Sequence, residues 1–239
     1  MQSYSKHTHG SVRTMFANIA ERYDLLNRLM TLGRDRAWRR ECVRRLELGK
    51  GSIVADLGCG TGDLAFEILA QTPDAVVIAS DFTPEMIAVG KGREGAERIC
   101  WLVADAQEMP LASESLDACV SGFLLRNVPA LDGALREQAR LLRKGGKLAA
   151  LDTTPPRGGL FKPLMAIQFR LVIPLLGRLV AGDAAAYQYL PQTTEAFLAA
   201  EALSERLRNA GFGGVSFVRR MLGSIAIHWG QKKGRGTST

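Results

Sequence analysis

Between Ser11 and Leu46 apolar side chains return every three or four residues, at Phe16, Ile19, Tyr23, Leu26 and Met30, the period of a helix that buries one face. Gly33 interrupts the pattern, and a second helix carrying Trp38 and Val43 follows. At Ser52 the period changes. Ser52 to Leu57 is a short continuous apolar run closed by glycines, as expected of a strand buried on both faces. Asp63 to Ala70 reads as a helix and Ala75 to Ser80 as a strand. Thr83, Pro84 and Glu85 open another helix, with Thr83 as cap and Pro84 in its first turn. Ile99 to Ala104 and Leu116 to Ser121 are the third and fourth strands. Leu131 to Leu142 is a helix ended by Gly145 and Gly146, and Lys147 to Leu151 is the fifth strand. Strands alternating with helices predict a doubly wound parallel sheet.

Past Asp152 the alternation stops. Leu160 to Leu179 is rich in Leu, Ile, Phe and Met but interrupted by Lys162, Pro163, Arg170, Pro174 and Arg178. Phe197 to Ala210 is a last helix closed by Gly211. Two alternating runs, Val215 to Met221 and Ser224 to Trp229, meet at a tight turn over Leu222 and Gly223 and read as an antiparallel hairpin at the sheet edge. The expected fold is therefore α/β: a Rossmann-like, mostly parallel seven-stranded sheet with a C-terminal hairpin and helical N-terminal and lid segments. Residues 1–50 supply part of a substrate cap, 51–230 the sheet domain with a helical insertion at about 157–195, and 231–239 a disordered tail.

Composition narrows the class only a little. At 239 residues, 46% hydrophobic and 23% charged, the chain has material for one large core. The formal charge of +7 favours anionic partners. Arg34, Arg36, Arg39, Arg40, Arg44 and Arg45 concentrate much of it early. Cys42, Cys59, Cys100 and Cys119 form no Cys-x-x-Cys pair, and two of them fall in strands read as buried, so reduced structural thiols are expected. Neither His nor Cys shows ligand spacing, so no metal is expected. The first ten residues are polar and no apolar run reaches spanning length, which predicts a soluble, cytoplasmic protein.

The chemistry concentrates in Asp56-Leu-Gly-Cys-Gly-Thr-Gly-Asp63, between a strand and a helix. Gly58, Gly60 and Gly62 let the backbone turn sharply and approach a ligand, and the helix that follows presents free N–H groups. In a dinucleotide loop the third glycine stands one residue later. Here Asp56 precedes the first glycine by two residues, which opposes a pyrophosphate and suits a sulfonium with an α-amino group. Asp81, followed by Phe82, ends the second strand and can accept from both hydroxyls of a ribose. Asp105 ends the third, where a carboxylate can accept from an exocyclic adenine amine, with the Ala106 N–H beside it. Ser121 ends the fourth. Ligands of open α/β sheets bind at the carboxyl ends of strands, so these positions together predict S-adenosyl-L-methionine as cofactor.

Several pieces outside the loop are more specific: Tyr23-Asp-Leu-Leu-Asn27, Thr31-Leu-Gly-Arg-Asp-Arg-Ala-Trp38, Phe123-Leu-Leu-Arg-Asn-Val128, Leu142-Arg-Lys-Gly-Gly146, Asp183 with Tyr187-Gln-Tyr-Leu190, and Ala226-Ile-His-Trp-Gly230. With them the chain, from about Phe16 to Lys232, resembles the ubiquinone/menaquinone biosynthesis C-methyltransferases, which are class I methyltransferases. The resemblance implies methylation of a ring carbon of a polyprenylated quinol. It assigns cofactor contacts to Thr61, Asp81, Asp105, Ala106 and Ser121, and the substrate side to Tyr23, Arg126 and Asn127. The chain departs from the family at Leu151-Asp-Thr-Thr-Pro-Pro156, at Asp35 in place of histidine, around Asp183, and at Gln192-Thr-Thr194, all on the acceptor side.

A hydroquinone carbon becomes nucleophilic when its neighbouring hydroxyl loses a proton. Arg126 is a poor base but can stabilise the phenolate and orient a water that takes the proton. An ion pair at the domain edge is the competing reading of Arg126, and core packing that of Tyr23. For His228, in an apolar strand, a satisfied core position is the expectation. Leu160 to Val180, apolar with interspersed basic residues, is the candidate for peripheral membrane contact, or for a lid or homodimer contact. Nucleic acid is not expected as a partner, because Arg126-Asn-Val-Pro129 stands where an Asn-Pro-Pro-Tyr-type catalytic tetrapeptide would be. A methyltransferase acting on a soluble aromatic secondary metabolite is the alternative to the quinol enzyme.

Overall fold

The computed structural model describes residues 9–155 and 197–234. The insertion at 157–195, the membrane candidate within it, the Asp183 and Tyr187 motifs and the last five residues lie outside the described residues. Seven strands form one sheet: β1 (Ile53–Leu57), β2 (Val76–Asp81), β3 (Ile99–Val103), β4 (Leu116–Gly122), β5 (Leu142–Thr153), β6 (Phe212–Arg220) and β7 (Ile225–Lys232), in the order β3-β2-β1-β4-β5-β7-β6. The β1–β2, β1–β4, β2–β3 and β4–β5 pairs are parallel, while β7 runs antiparallel to both β5 and β6. The hairpin is thus present, but its second strand inserts next to β5 and its first becomes the edge. Strand order reverses between β1 and β4, and the crevice at such a switch point is where ligands bind.

Period-2 geometry sends each apolar run to both faces. On one face Val54, Val77, Ala118, Val120 and Ile227 pack under α2 (Asp35–Arg44) and α3 (Asp63–Gln71). On the other, Ala55, Leu57, Cys119, Leu148 and Ala150 meet α5 (Leu131–Leu141) and α6 (Ala200–Asn209). Trp38, Cys42, Val43 and Leu46 belong to the first cluster, so α2 packs as part of the sheet's own core. The first helix, α1 (His9–Thr31), buries Ile19, Ala20 and Leu26 and packs against α4 (Pro84–Lys91).

Three local expectations are corrected. Gly145 and Gly146 do not end α5, whose cap at Leu142 is already extended. Leu116 pairs with Leu142 and Ala118 with Lys147, so residues 143–146 loop out inside β5, with Gly145 at a φ of 76°. Thr83 occupies the cap position of α4, but its hydroxyl makes no capping bond. Cys100 points outward from β3, whereas Cys119 and Cys42 are fully buried, and all four thiols are free. No described helix is long and apolar enough to cross a membrane.

Candidate active site

β1 delivers Asp56 and the glycine loop into the crevice. Burial raises the Asp56 carboxyl to about 7. One oxygen accepts the Ala65 N–H at 3.0 Å, tying the strand to the first turn of α3, and the other is buried with no partner. Gly58 needs its glycine twice over: its φ is 63°, and a Cβ there would stand 2.6 Å from Leu124. Asp81 holds the loop from outside, accepting the Gly60 N–H at 2.9 Å and the Thr83 N–H at 2.8 Å, and burial raises its carboxyl too.

Three adjoining cavities open along this ridge. The first, about 490 Å³, is lined by Gly58, Phe82, Asp105, Ala106, Leu124 and Asn127, among others. Asp105 lies two residues beyond the end of β3 and accepts the Gln107 N–H at 2.9 Å, which fixes its carboxylate at the cavity wall. The second, about 410 Å³, is more aromatic, with Phe16, Tyr23, Phe82 and Phe123 beside Gly58, Gly60, Asp81 and Asn127. The third, about 330 Å³, is polar and includes Tyr23, Asp24, Arg39, Asp56, Thr61 and Asp63. Gly58 lines all three.

Most of the expected residues therefore converge. Asp105, Ala106 and Phe82 meet at the first cavity, Tyr23, Asn127, Asp81 and Gly60 at the second, and Asp56 and Thr61 at the third. Three do not line any of them. Gly62, at a φ of 89°, serves packing, since a Cβ there would lie 2.5 Å from the Trp101 ring. Ser121 is buried in β4 with its hydroxyl unpartnered, and the neighbouring Gly122 lines the second and third cavities in its place. Arg126 lies in the interior, 5.0 Å over the Phe123 ring and 3.8 Å from Asp152. Its backbone N–H also bonds Asp152, at 3.2 Å, while its Nε is buried without a partner.

Tyr23 comes from α1, with its ring edge-on to Phe16 at 5.9 Å. Burial raises its phenol, against the Asn27 side chain and the positive charge of Arg126 and Arg39, which lower it. Asn127 donates from Nδ2 to the Phe123 carbonyl at 2.8 Å, bracing a loop in which Phe123 holds a φ of 59°. His228 is buried, bonded through Nε2 to the Ala200 carbonyl at 2.9 Å and stacked on Phe217, and burial lowers it to about 4. It is a core histidine.

Sequence reasoning missed Asp24, whose carboxylate accepts from the Thr61 hydroxyl at 2.7 Å and so joins α1 to the glycine loop. Its place beside Tyr23 in the Tyr-Asp-x-x-Asn motif was the available signal. It missed Arg39 as well, which pairs with the fully buried Asp35 and lies 3.5 Å from Asp63. Leu124, Gln107 and Met86 carry no chemical signature, and only the fold brings them to the cavities.

These residues suit an adenosyl sulfonium amino acid. The Gly58 cradle would be filled by any Cβ, and the orphaned Asp56 oxygen sits beside a cavity in which carboxylates outnumber the one guanidinium.

Comparison with known proteins supplies an independent line. The profile of the ubiE/COQ5 methyltransferase family matches residues 2–232. A ubiquinone/menaquinone biosynthesis C-methyltransferase UbiE of Desulfotalea psychrophila is 43% identical over 92% of this chain and 90% of its own length. A demethylmenaquinone methyltransferase of Thermus thermophilus is 40% identical, over 91% of this chain and 100% of its own. Among solved structures, the [4+2]-cyclase SpnF superposes with a TM-score of 0.68 at 17% identity, covering 95% of this chain and 96% of that one. A phosphoethanolamine N-methyltransferase 2 of Haemonchus contortus, solved with S-adenosylhomocysteine, gives 0.63 at 16%, covering 83% of this chain and 53% of that one. At such identities these two likenesses concern the fold.

Proposed function

Because the chain belongs to the ubiE/COQ5 methyltransferase family, and is thus an S-adenosylmethionine-dependent C-methyltransferase of quinone biosynthesis, we propose that its acceptor is demethylmenaquinol, methylated on a ring carbon. The observation that carries this reading is the convergence of Asp81, Asp105, Asp56 and the glycine loop on adjoining cavities, two of which Tyr23 of α1 lines. When bound, the cofactor supplies an activated methyl group on a positively charged sulfur.

The protein's part is placement and charge. Asp105 and the Ala106 N–H suit an adenine edge in the first cavity, with Phe82 and Leu124 against its faces. Asp81 has lone pairs left for ribose hydroxyls after holding Gly60 and Thr83. Asp56 and the loop suit the amino-acid end. In the second cavity Phe16, Tyr23 and Phe123 form an apolar, aromatic wall that would hold a flat ring against the bound cofactor. Arg126 keeps a positive charge beneath Phe123 in a water-poor interior, where it favours an acceptor hydroxyl as phenolate. Ser121 serves the cofactor indirectly, by supporting Gly122 from within β4. A polyprenylated acceptor resides in lipid, so this reading includes reversible contact with a membrane surface.

Calorimetry with S-adenosylhomocysteine tests the cofactor side. Wild type should bind it, and Asp81→Ala should weaken binding roughly 10- to 100-fold, the worth of a charged hydrogen-bonding group. Methyl transfer to demethylmenaquinol tests the acceptor. Turnover of a soluble phenol in its place would transfer the reading to a soluble aromatic acceptor.

A further inference from the structure

Six large hydrophobic residues stand exposed among the described residues, and three of them, Leu25, Leu29 and Leu32, fall within one helical hairpin. The i, i+4 spacing puts Leu25 and Leu29 on one face of α1, turned away from Phe16 and Tyr23, and Leu32 follows them in the exit turn. Leu32 is the extreme case. It is 80% exposed and holds a φ of 53°, a conformation a leucine adopts at some cost, at the tip where α1 turns into α2. A leucine is a poor choice for that position unless it has something apolar to enter.

The charge carried by the same stretch of chain indicates the partner. Between Arg13 and Arg45 the sequence has nine arginines against four carboxylates. Arg34, Arg36 and Arg44 are exposed and enter no ion pair among the described residues, while Asp24, Asp35 and Glu41 are taken up by Thr61, Arg39 and Arg220. Exposed leucines followed closely along the chain by unneutralised guanidinium groups are complementary to a layer that is hydrocarbon below and anionic at its surface.

We propose that the α1–α2 hairpin docks the protein on an anionic phospholipid bilayer, with Leu25, Leu29 and Leu32 entering the acyl boundary and Arg34, Arg36 and Arg44 at the headgroup phosphates. The inner face of the same helix places Phe16 and Tyr23 in the cleft wall. The cleft then lies about one helix diameter, roughly 10 Å, from the membrane. The inference takes its purpose from the reading of a lipid-borne acceptor and rests on it in that respect; its evidence is the exposed surface.

Flotation of the full-length protein with vesicles tests it, comparing phosphatidylglycerol-containing with pure phosphatidylcholine vesicles. The variants are Leu25→Gln/Leu29→Gln/Leu32→Gln and Arg34→Gln/Arg36→Gln/Arg44→Gln, and S-adenosylhomocysteine binding serves as the check that each is folded. Wild type should float with the anionic vesicles and less so as salt rises. The leucine variant should lose roughly tenfold or more in partitioning, and the arginine variant should lose the preference for anionic lipid, both with the nucleoside still bound. A wild type that stays in solution overturns the proposal, as does a leucine variant that floats like wild type. So does a molar mass twice that of the leucine variant, which would make the leucines a contact between copies of this chain. Failure of the wild type to bind S-adenosylhomocysteine would strike the cofactor reading alone, since its flotation is scored without the nucleoside.

Discussion

Burial takes Asp56 out of contact with water and lifts its carboxyl to about 7, while in an unfolded chain such a group titrates near about 3.9. Between those values the folded protein holds a proton that the unfolded chain has released. The group's contribution is therefore complete below about pH 4 and disappears as pH rises through about 7. His228 works in the opposite sense: lowered to about 4, it contributes above its ordinary 6.5 and loses that contribution as pH falls through about 4. The two overlap, so a variant comparison is needed to separate them. In urea melts, Asp56→Asn should gain on wild type as pH goes from 4 to 7, by on the order of a few kcal/mol; a flat difference would contradict a neutral Asp56. A variant comparison also separates two roles for Arg126. Arg126→Gln should leave S-adenosylhomocysteine affinity intact and lower kcat by roughly 100-fold. Should Arg126→Gln also lose stability in the same melts, and Asp152→Asn reproduce both that loss and the kcat loss, Arg126 acts as half of a buried ion pair rather than on the acceptor.

The loop between β1 and α3 joins two requirements that its glycines meet separately. Gly58 faces the cavities, whereas Gly62 faces Trp101, whose ring also lies 2.5 Å from where a Cβ on Gly90 of α4 would stand. Trp101 of β3 thus wedges between α3 and α4, and its indole N–H is bonded to the Ala96 carbonyl at 3.0 Å. Gly90→Ala should cost about 1–3 kcal/mol in denaturant melts, the range for overpacking, with S-adenosylhomocysteine affinity preserved. Adding Trp101→Leu should recover part of that loss. Gly58→Ala should show the reverse balance, with affinity falling more than stability. A Gly90→Ala protein that melts like wild type would mean the wedge yields freely.

For the molecule as a whole, the question is whether the N-terminal helices are an attached cap or part of the domain. α2 shares a core cluster with β1, β4 and β7, and it is held further by Arg220, which reaches Glu41 at 2.7 and 3.0 Å, and by Arg45 stacked 4.0 Å over the Trp229 ring. α1 has lighter anchoring, through α4, Asp24–Thr61 and the Phe16–Tyr23 pair. Hydrogen exchange should accordingly find Cys42 and Val43 amides protected like those of Val54 and Ala55, and α1 amides exchanging faster. Saturating S-adenosylhomocysteine should slow α1 more than α2, because α1 contributes Phe16, Tyr23 and Asp24 to the cavity walls and α2 only Arg39. Equal protection of both helices would make the pair a single rigid unit.

Local sequence specified a good deal of this protein. All seven strands and the helices around them were legible, since an apolar run buried on both faces and a 3.6-residue stripe are imposed by short-range geometry. The glycine loop with Asp81 and Asp105 was legible too, because strand ends in a parallel sheet share one edge. The looped-out turn in β5 was not, since whether two glycines end a helix or bulge a strand depends on the register with β4. Nor was the division of labour among Gly58, Gly62 and Ser121, or the reach of Asp24 to Thr61. Those depend on which side chains the folded chain brings opposite one another across long sequence separations, and no pattern read along the chain contains that.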